Sequence, residues 1–328
     1  MPRLNFEGRD YALETGESVL ECLERHGVAL TSSCRSGVCH SCLIRVLEGA
    51  PPPAAQKGVK ETLRAQGYYL ACCCRPDADL KAERGAAQQR YRAIIESVHP
   101  LNATVARLRL TETNGFTYFP GQFLNLVHAS GQVRSYSIAS VPREDAWLEL
   151  HVGLLPGGCI STWVHHEAAA GESVEFLGPQ GNCFYVPGRS EQPLLLLGTG
   201  TGLAPLYGIL RDALGQGHTG PIHLFHGSVR RDGLYLVEAL RALEAEWPQF
   251  HYHPCVLEGP AEEDIAVGAI DQLALERVPS LKGFRVFLCG HPDLVRQMQR
   301  KTFLAGASLS DIYADAFLPA AAAASTPS

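Results

Sequence analysis

Three successive hydrophobic patterns predict a multidomain chain: a small α+β unit, an antiparallel β-barrel, and an α/β unit on a parallel sheet. The first pattern is a hairpin and a short amphipathic helix before residue 76. The second is a series of short alternating runs between residues 92 and 176. The third, from residue 193, alternates wholly apolar runs with helix-period stretches. Length agrees, since 328 residues exceed what one hydrophobic core ordinarily organises. The expected divisions are 1–88, 89–189 and 190–319, with a low-complexity, disordered tail over 320–328.

In the first unit, Leu4-Asn-Phe-Glu-Gly-Arg-Asp-Tyr-Ala-Leu13 alternates and turns at Gly8, a hairpin signature. Val19, Leu20 and Leu23 mark a helix over 17–26 that stops before Gly27, with Cys22 as a core thiol and His26 as a surface imidazole. Then comes Cys34-Arg-Ser-Gly-Val-Cys39-His-Ser-Cys42, a strand over 43–47, and Tyr69-Leu-Ala-Cys-Cys-Cys-Arg-Pro76. Cys-x4-Cys-x2-Cys with a distant fourth cysteine is the plant-type [2Fe–2S] ligand set, in which each iron takes two thiolates. Gly37 suits a loop that wraps closely around such a cluster. A zinc site or disulfides are the alternative, but zinc knuckles favour paired Cys-x2-Cys spacings. Cys34, Cys39, Cys42 and Cys72 are the expected ligands; Cys72 is chosen over its neighbours by its Leu70-Ala71 context, leaving Cys73 and Cys74 as bystanders. The order hairpin, helix, cysteine loop, strand resembles the plant-type ferredoxin (β-grasp) fold. Residues 77–89 lack periodicity and read as a linker.

Alternating runs over 92–98, 104–110, 123–127, 148–152 and 173–176 have barrel spacing, with a helical lid over 161–166. Within them, Arg134-Ser-Tyr-Ser-Ile-Ala-Ser140 offers an arginine fork suited to phosphate and a tyrosine face suited to stacking. The stretch resembles the Arg-x-Tyr-Ser flavin motif of the ferredoxin–NADP⁺ reductase superfamily. That resemblance implies an FAD-binding barrel in which Arg134 holds the pyrophosphate, Tyr136 stacks on the isoalloxazine, Ser137 bonds near its N5, and Ile138 adjoins the site. Gly157-Gly-Cys-Ile-Ser161 resembles the second pyrophosphate segment, with Gly158, Cys159 and Ser161 at the opening of a helix, where free N–H groups favour phosphate. Family members often carry Arg or Lys where Gly153 stands, so one phosphate or ribose contact is missing here.

After the apolar run 194–197, Gly198-Thr-Gly-Thr-Gly-Leu-Ala-Pro205 has the strand-to-helix context of a dinucleotide loop. It resembles the superfamily's Gly-Thr-Gly-x-Gly-x-x-Pro, which implies nucleotide contacts from Gly198, Thr199, Gly200, Thr201, Gly202 and Pro205 on an NAD(P)-binding parallel sheet. Cys289-Gly-His-Pro292 resembles the Cys-Gly-x-Pro segment beside the nicotinamide, making Cys289 a catalytic candidate with Ser137, and Gly290 a contact. Phe317, ending Tyr313-Ala-Asp-Ala-Phe317, resembles the terminal aromatic that shields the flavin. In Gly227-Ser-Val-Arg-Arg-Asp-Gly-Leu-Tyr235, Ser228, Arg230 and Arg231 lean by the general dinucleotide rule towards NADPH. The run also resembles that of multicomponent-oxygenase reductases, which implies NADH, and NADH is favoured with NADPH left open. The remaining histidines, His165, His166, His251 and His253 among them, read as surface or packing residues.

A net charge of −6 argues against nucleic acid, and no apolar run of membrane-spanning length occurs. Eleven cysteines with no export-signal pattern point to a reducing, cytoplasmic setting. Eleven basic and eleven acidic residues balance over 1–88, unlike the acidic free ferredoxins, a hint that the electron donor is covalently attached. The chain as a whole resembles the three-domain reductase components of bacterial oxygenases. The resemblance implies an NAD(P)H-dependent, electron-transfer oxidoreductase: hydride to FAD, then single electrons through one [2Fe–2S] cluster to an oxygenase, hydroxylase or other acceptor protein, with the chain expected as a monomer. A CDP-6-deoxyglucoseen-type reductase acting with a pyridoxamine-dependent dehydratase, and a non-enzymatic redox-sensing module, are the alternatives.

Overall fold

A computed structural model of the chain describes residues 2–30, 32, 34–37, 40–85, 89–111, 115–260 and 264–317. Cys39 and the tail 320–328 lie outside the described residues. The chain divides into two compact units, residues 1–89 and 90–328.

In the first unit, β1 (Arg3–Phe6) and β2 (Arg9–Ala12) form the hairpin. Helix α1 (Val19–Arg25) begins at Ser18, whose side chain accepts the Glu21 N–H while the Glu21 carboxylate accepts the Ser18 N–H, a reciprocal capping box. Val19, Leu20, Cys22 and Leu23 bury one face of this helix. Then come β3 (Leu43–Glu48), α2 (Glu61–Ala65), β4 (Tyr68–Leu70) and β5 (Leu80–Glu83). The mixed sheet has the order β2-β1-β5-β3-β4, and only β1–β5 is parallel. Residues 77–89, expected as a linker, therefore contain the central strand. Leu80 and Ala82 point into the core while Lys81 and Glu83 point out. Two small apolar positions among acids and bases are too short a run to show alternation in the sequence.

In the second unit, β6 (Arg90–Pro100), β7 (Val105–Thr111), β8 (Phe123–Val127), β9 (Val133–Ser137), β10 (Trp147–Gly153) and β11 (Ser173–Gln180) form one antiparallel sheet, with α3 (Cys159–His166) packed on β6, β7 and β10. The order β10-β7-β6-β11-β8-β9 closes where Ile138 bridges Leu150 and the Ala139 N–H donates to the Glu149 carbonyl at 2.8 Å, so the sheet is a barrel. A bulge between Ile95 and Ser97 lets the long β6 pair with both neighbours.

The parallel sheet comprises β12 (Leu194–Thr199), β13 (Ile222–Ser228), β14 (Phe250–Val256), β15 (Ala266–Val267), β16 (Arg285–Gly290) and β17 (Ile312–Ala316). It is crossed by α4 (Leu203–Gly215), α5 (Val237–Glu246), α6 (Ile270–Arg277) and α7 (Pro292–Leu304). Its order is β15-β14-β13-β12-β16-β17. The chain reverses direction across the sheet at β12, and the crevice for a ligand opens between the C-terminal ends of β12 and β16. All four leucines of β12 are buried, as a strand covered on both faces requires.

Candidate functional site

The pairing of Leu43 with Leu70 brings Cys42 and Cys72 to one place, and the Ala71 N–H donates to the Cys42 carbonyl at 3.1 Å. Each of these thiols influences the other's titration, and the Gly37 backbone favours the Cys72 thiolate. Gly37 has φ +80°, and a Cβ there would come within 2.9 Å of the Cys73 sulfur. Cys34 stands on the exposed edge of the loop, with the Ser36 N–H 3.5 Å from its sulfur. Cys73 lies beside Cys72 at 3.6 Å, whereas Cys74 is fully buried beneath α1, its carbonyl accepting the Val19 N–H at 2.8 Å. Burial pushes the Cys42 thiol up to about 11 and also raises Cys72. Thiolates in such surroundings need a cation to hold them ionised. Among the described residues no three ligating side chains group closely enough to hold a metal ion, so the fit to an iron–sulfur cluster rests on the Gly37 turn, the neighbouring Cys42 and Cys72 thiols and the soft thiolate donor set.

In the barrel, Arg134 is exposed, and one of its terminal nitrogens donates to the Val133 carbonyl at 2.7 Å. Tyr136 is partly buried, its phenol pushed up to about 12 by burial. Helix α3 starts at Cys159 with no side-chain cap, so its first N–H groups are open to an anion. A Cβ on Gly158 would sit 2.5 Å from the Ser161 hydroxyl oxygen. That hydroxyl donates to the Gly158 carbonyl at 3.1 Å and accepts from the Leu155 N–H at 3.2 Å, so it shapes the turn. The Cys159 sulfur lies 3.6 Å from His128 Nδ1, and Ile138 is buried in the barrel closure. An uncapped helix N-terminus and an exposed guanidinium on β9 fit a flavin pyrophosphate.

On the parallel sheet, Gly198 pairs in register with Cys289, so the glycine-rich loop and the Cys289-Gly290 turn lie side by side at the crevice. Gly200 takes φ +54°. A Cβ on Gly202 would fall 2.4 Å from the Cys289 carbonyl oxygen, so only glycine lets these two turns touch. Pro205 is buried in the first turn of α4. Thr199 ends β12, and the Phe317 N–H donates to the Gly290 carbonyl at 2.9 Å. These close backbone approaches fit a dinucleotide. Arg231 opens a short 3₁₀ turn, and Arg230 is held by the Glu258 carboxylate at 3.1 Å. Both arginines and Glu258 line a cavity of about 690 Å³ beyond the ends of β13 and β14.

The flavin strand reaches the nucleotide sheet through Ser137. The Ser137 hydroxyl donates to Asp315 Oδ2 at 3.4 Å, and Asp315 pairs in register with Cys289 across β16 and β17. Burial pushes the Asp315 carboxyl up to about 6, and it also drives the Cys289 thiol well above its ordinary value, with Cys183 hydrogen-bonded to it at 3.7 Å. Ser137 and Cys289, both buried, thus adjoin a half-buried Asp315 whose carboxyl titrates near neutrality.

Sequence reasoning reached Ser137 and Cys289 but not Asp315. The residue lay inside the quoted Tyr313–Phe317 stretch, whose aromatic end drew the assignment. Glu258 was also missed: it stands 28 residues from Arg230, on a loop with no local signal. A third omission is the buried set in which His151 bonds Glu149 at 3.1 Å and the Tyr235 hydroxyl at 3.2 Å, tying barrel to nucleotide sheet. Although burial works against ionisation, His151, Arg107 and Arg109 hold Glu149 down to about 2.

A thiolate loop, a flavin barrel and a nucleotide sheet in one chain define an iron–sulfur flavoprotein oxidoreductase. Family models agree. Residues 4–77 match the 2Fe-2S iron-sulfur cluster binding domain, 95–185 the oxidoreductase FAD-binding domain, and 196–300 the oxidoreductase NAD-binding domain. The chain is 34% identical to the ferredoxin–NAD(P)⁺ reductase component of the naphthalene 1,2-dioxygenase system of Pseudomonas putida, over 93% of this chain and 94% of that one. It is 34% identical to the aromatic O-demethylase reductase subunit of an Amycolatopsis species, over 88% and 90% of the two chains. Its fold superposes on the crystal structure of the Amycolatopsis cytochrome P450 reductase GcoB with a TM-score of 0.68, at 31% identity and covering 98% and 100%. The chain belongs to the three-domain ferredoxin–NAD(P)⁺ reductase family. It is an NAD(P)H-dependent electron-transfer oxidoreductase with one [2Fe–2S] cluster and FAD.

Proposed function

We propose that this chain is the reductase component of a bacterial oxygenase or hydroxylase system, taking reducing equivalents from NADH and delivering single electrons to a partner oxygenase protein. The observation that carries the reading is the Ser137–Asp315 contact at 3.4 Å, which joins the flavin strand to the edge of the nucleotide sheet beside Cys289. FAD held by these residues would supply the chemistry of hydride acceptance and single-electron release.

The chain's residues divide that work among 1–88, 89–189 and 190–319. Arg134 and the α3 N-terminus at Gly158, Cys159 and Ser161 hold the flavin pyrophosphate. Tyr136 and Phe317 cover the ring, Ser137 and Ile138 flank its reacting edge, and the 198–205 loop with Gly290 seats the nucleotide. Asp315 governs the Ser137 proton. Ionised, Asp315 accepts the hydroxyl hydrogen; protonated below about pH 6, it donates to the Ser137 oxygen and leaves that hydrogen free to point outward. Cys289, kept as a thiol, packs beside the nicotinamide without adding charge. Cys34, Cys39, Cys42 and Cys72 ligate the iron.

The preference for NADH is supported by Glu258, whose carboxylate occupies Arg230, the kind of side chain that a 2′-phosphate would otherwise engage. Eleven cysteines and the absence of disulfides among the ten described ones suit a reducing cytoplasm. Anaerobic stopped-flow mixing with NADH tests the reading. Flavin absorbance should bleach and a reduced-cluster EPR signal should follow; a bleached flavin with a cluster that stays oxidised would refute it.

A further inference from the structure

We propose that Gly153 and Gly208 are positioning residues, whose missing side chains fix how closely the nucleotide sheet approaches the flavin strand and so set the hydride-transfer distance. This rests on the hydride-transfer reading above. Gly208 lies in the middle of α4, the helix that opens with the nucleotide loop. A Cβ there would stand 3.1 Å from the Ile138 carbonyl oxygen, 3.2 Å from that of Ala139 and 3.3 Å from Pro120 Cβ. Ile138 and Ala139 directly follow Ser137, so α4 bears on the flavin strand at its reacting end. Gly153 ends β10 and faces the nucleotide loop itself, where a Cβ would meet Thr201 Cγ2 at 3.1 Å. Gly153 is also the position where the resemblance led one to expect Arg or Lys. The contact with Thr201 gives a physical reason for its absence.

Neither glycine has a left-handed φ, so backbone conformation does not demand glycine at either place. At Gly208 glycine even works against the helix, in which alanine is the better former. What both positions share is a close approach between the barrel and the nucleotide sheet. Polar ties pull the same two surfaces together: Asn102 Nδ2 donates to the Gly233 carbonyl at 3.1 Å, His151 pairs with the Tyr235 hydroxyl at 3.2 Å, and Arg143 binds the Asp212 carboxylate at 2.8 Å. The ties draw the surfaces inward, and the bare backbones determine where they stop. An added methyl would push them apart by a few tenths of an ångström, a distance to which near-attack geometry is sensitive.

The test is a pair of variants in the holoprotein. Gly208→Ala and Gly153→Ala should each slow flavin bleaching by saturating NADH roughly three- to tenfold. The KM for NADH, FAD content and melting temperature should hold, and Gly208→Ala should melt no lower than wild type. A crystal structure of FAD-free Gly208→Ala should show α4 displaced from Ile138. Wild-type rates in both alanine variants, or an unmoved α4, would overturn the proposal. Wild-type protein whose flavin NADH does not bleach would instead overturn the hydride-transfer reading, and this inference with it.

Discussion

In residues 1–89 the sulfurs expected to bind iron sit on two loops joined by a single strand pairing, Leu43 with Leu70. In residues 90–328 the reacting groups come from two sheets: Ser137 from the barrel strand β9, and Cys289 and Asp315 from the neighbouring parallel strands β16 and β17. The first arrangement is built by spacing along the chain. The second is built by sheet topology, because Ser137 and Asp315 stand 178 residues apart and meet across two different sheets. Spacing sites are robust to small shifts of distant elements, whereas topological sites depend on every contact that sets the relative position of their strands. Substitutions in the two regions should therefore fail differently.

The largest effect belongs to the thiolate loop. Cys72→Ser should abolish iron binding and the visible absorbance of the cluster, while Cys74→Ser, beneath α1, should retain both; iron analysis of the two purified variants checks this. Equal loss in both would erase the distinction between ligand and core thiol. On the nucleotide side, Gly202→Ala drives a Cβ to within 2.4 Å of the Cys289 carbonyl. A lowering of kcat/KM for NADH by about two orders of magnitude is expected. Cluster reduction by dithionite, which bypasses the nucleotide, should be untouched.

A smaller and more specific change is expected at Asp315. Its folded-state carboxyl titrates at about 6 against an ordinary 3.8, so ionising it costs the folded state as pH rises from about 4 through 6. The shift corresponds to roughly 3 kcal/mol. Asp315→Asn should accordingly be more stable than wild type at pH 8 and not at pH 4, and it should lose the inflection near pH 6 in the rate of flavin reduction. An inflection that survives the substitution would remove Asp315 from control of Ser137. The mildest change is Glu258→Gln, which releases Arg230 and should raise the NADPH-to-NADH ratio of kcat/KM about tenfold. A ratio that does not move would return nucleotide choice to Ser228, Arg230 and Arg231 alone.

The same contrast explains what could be read from the amino-acid order. Cysteine spacing, Arg134-Ser-Tyr-Ser and the 198–205 glycines are local patterns whose chemistry is visible without a fold. The hairpin, α1 and the alternating strands and helices after residue 193 were legible because each carries its own period. Strand β5 was not, since its two buried positions, Leu80 and Ala82, give too little alternation among charged neighbours. Asp315 and Glu258 were hidden for another reason: a single acid gains meaning only when a strand pairing or a loop return places it beside Ser137 or Arg230. The spacer role of Gly208 was hidden in the same way, because glycine inside a helical run reads as a weak point until its neighbours across the barrel are known.

The central claim is a linear path, with nucleotide and flavin upstream of the cluster. Cys34→Ser tests it most directly when NADH-driven reduction of ferricyanide and of cytochrome c is measured on the same preparation. The path predicts that cytochrome c reduction is lost while ferricyanide reduction, drawn from the flavin, is largely kept. Loss of both activities in a variant that retains FAD would contradict it.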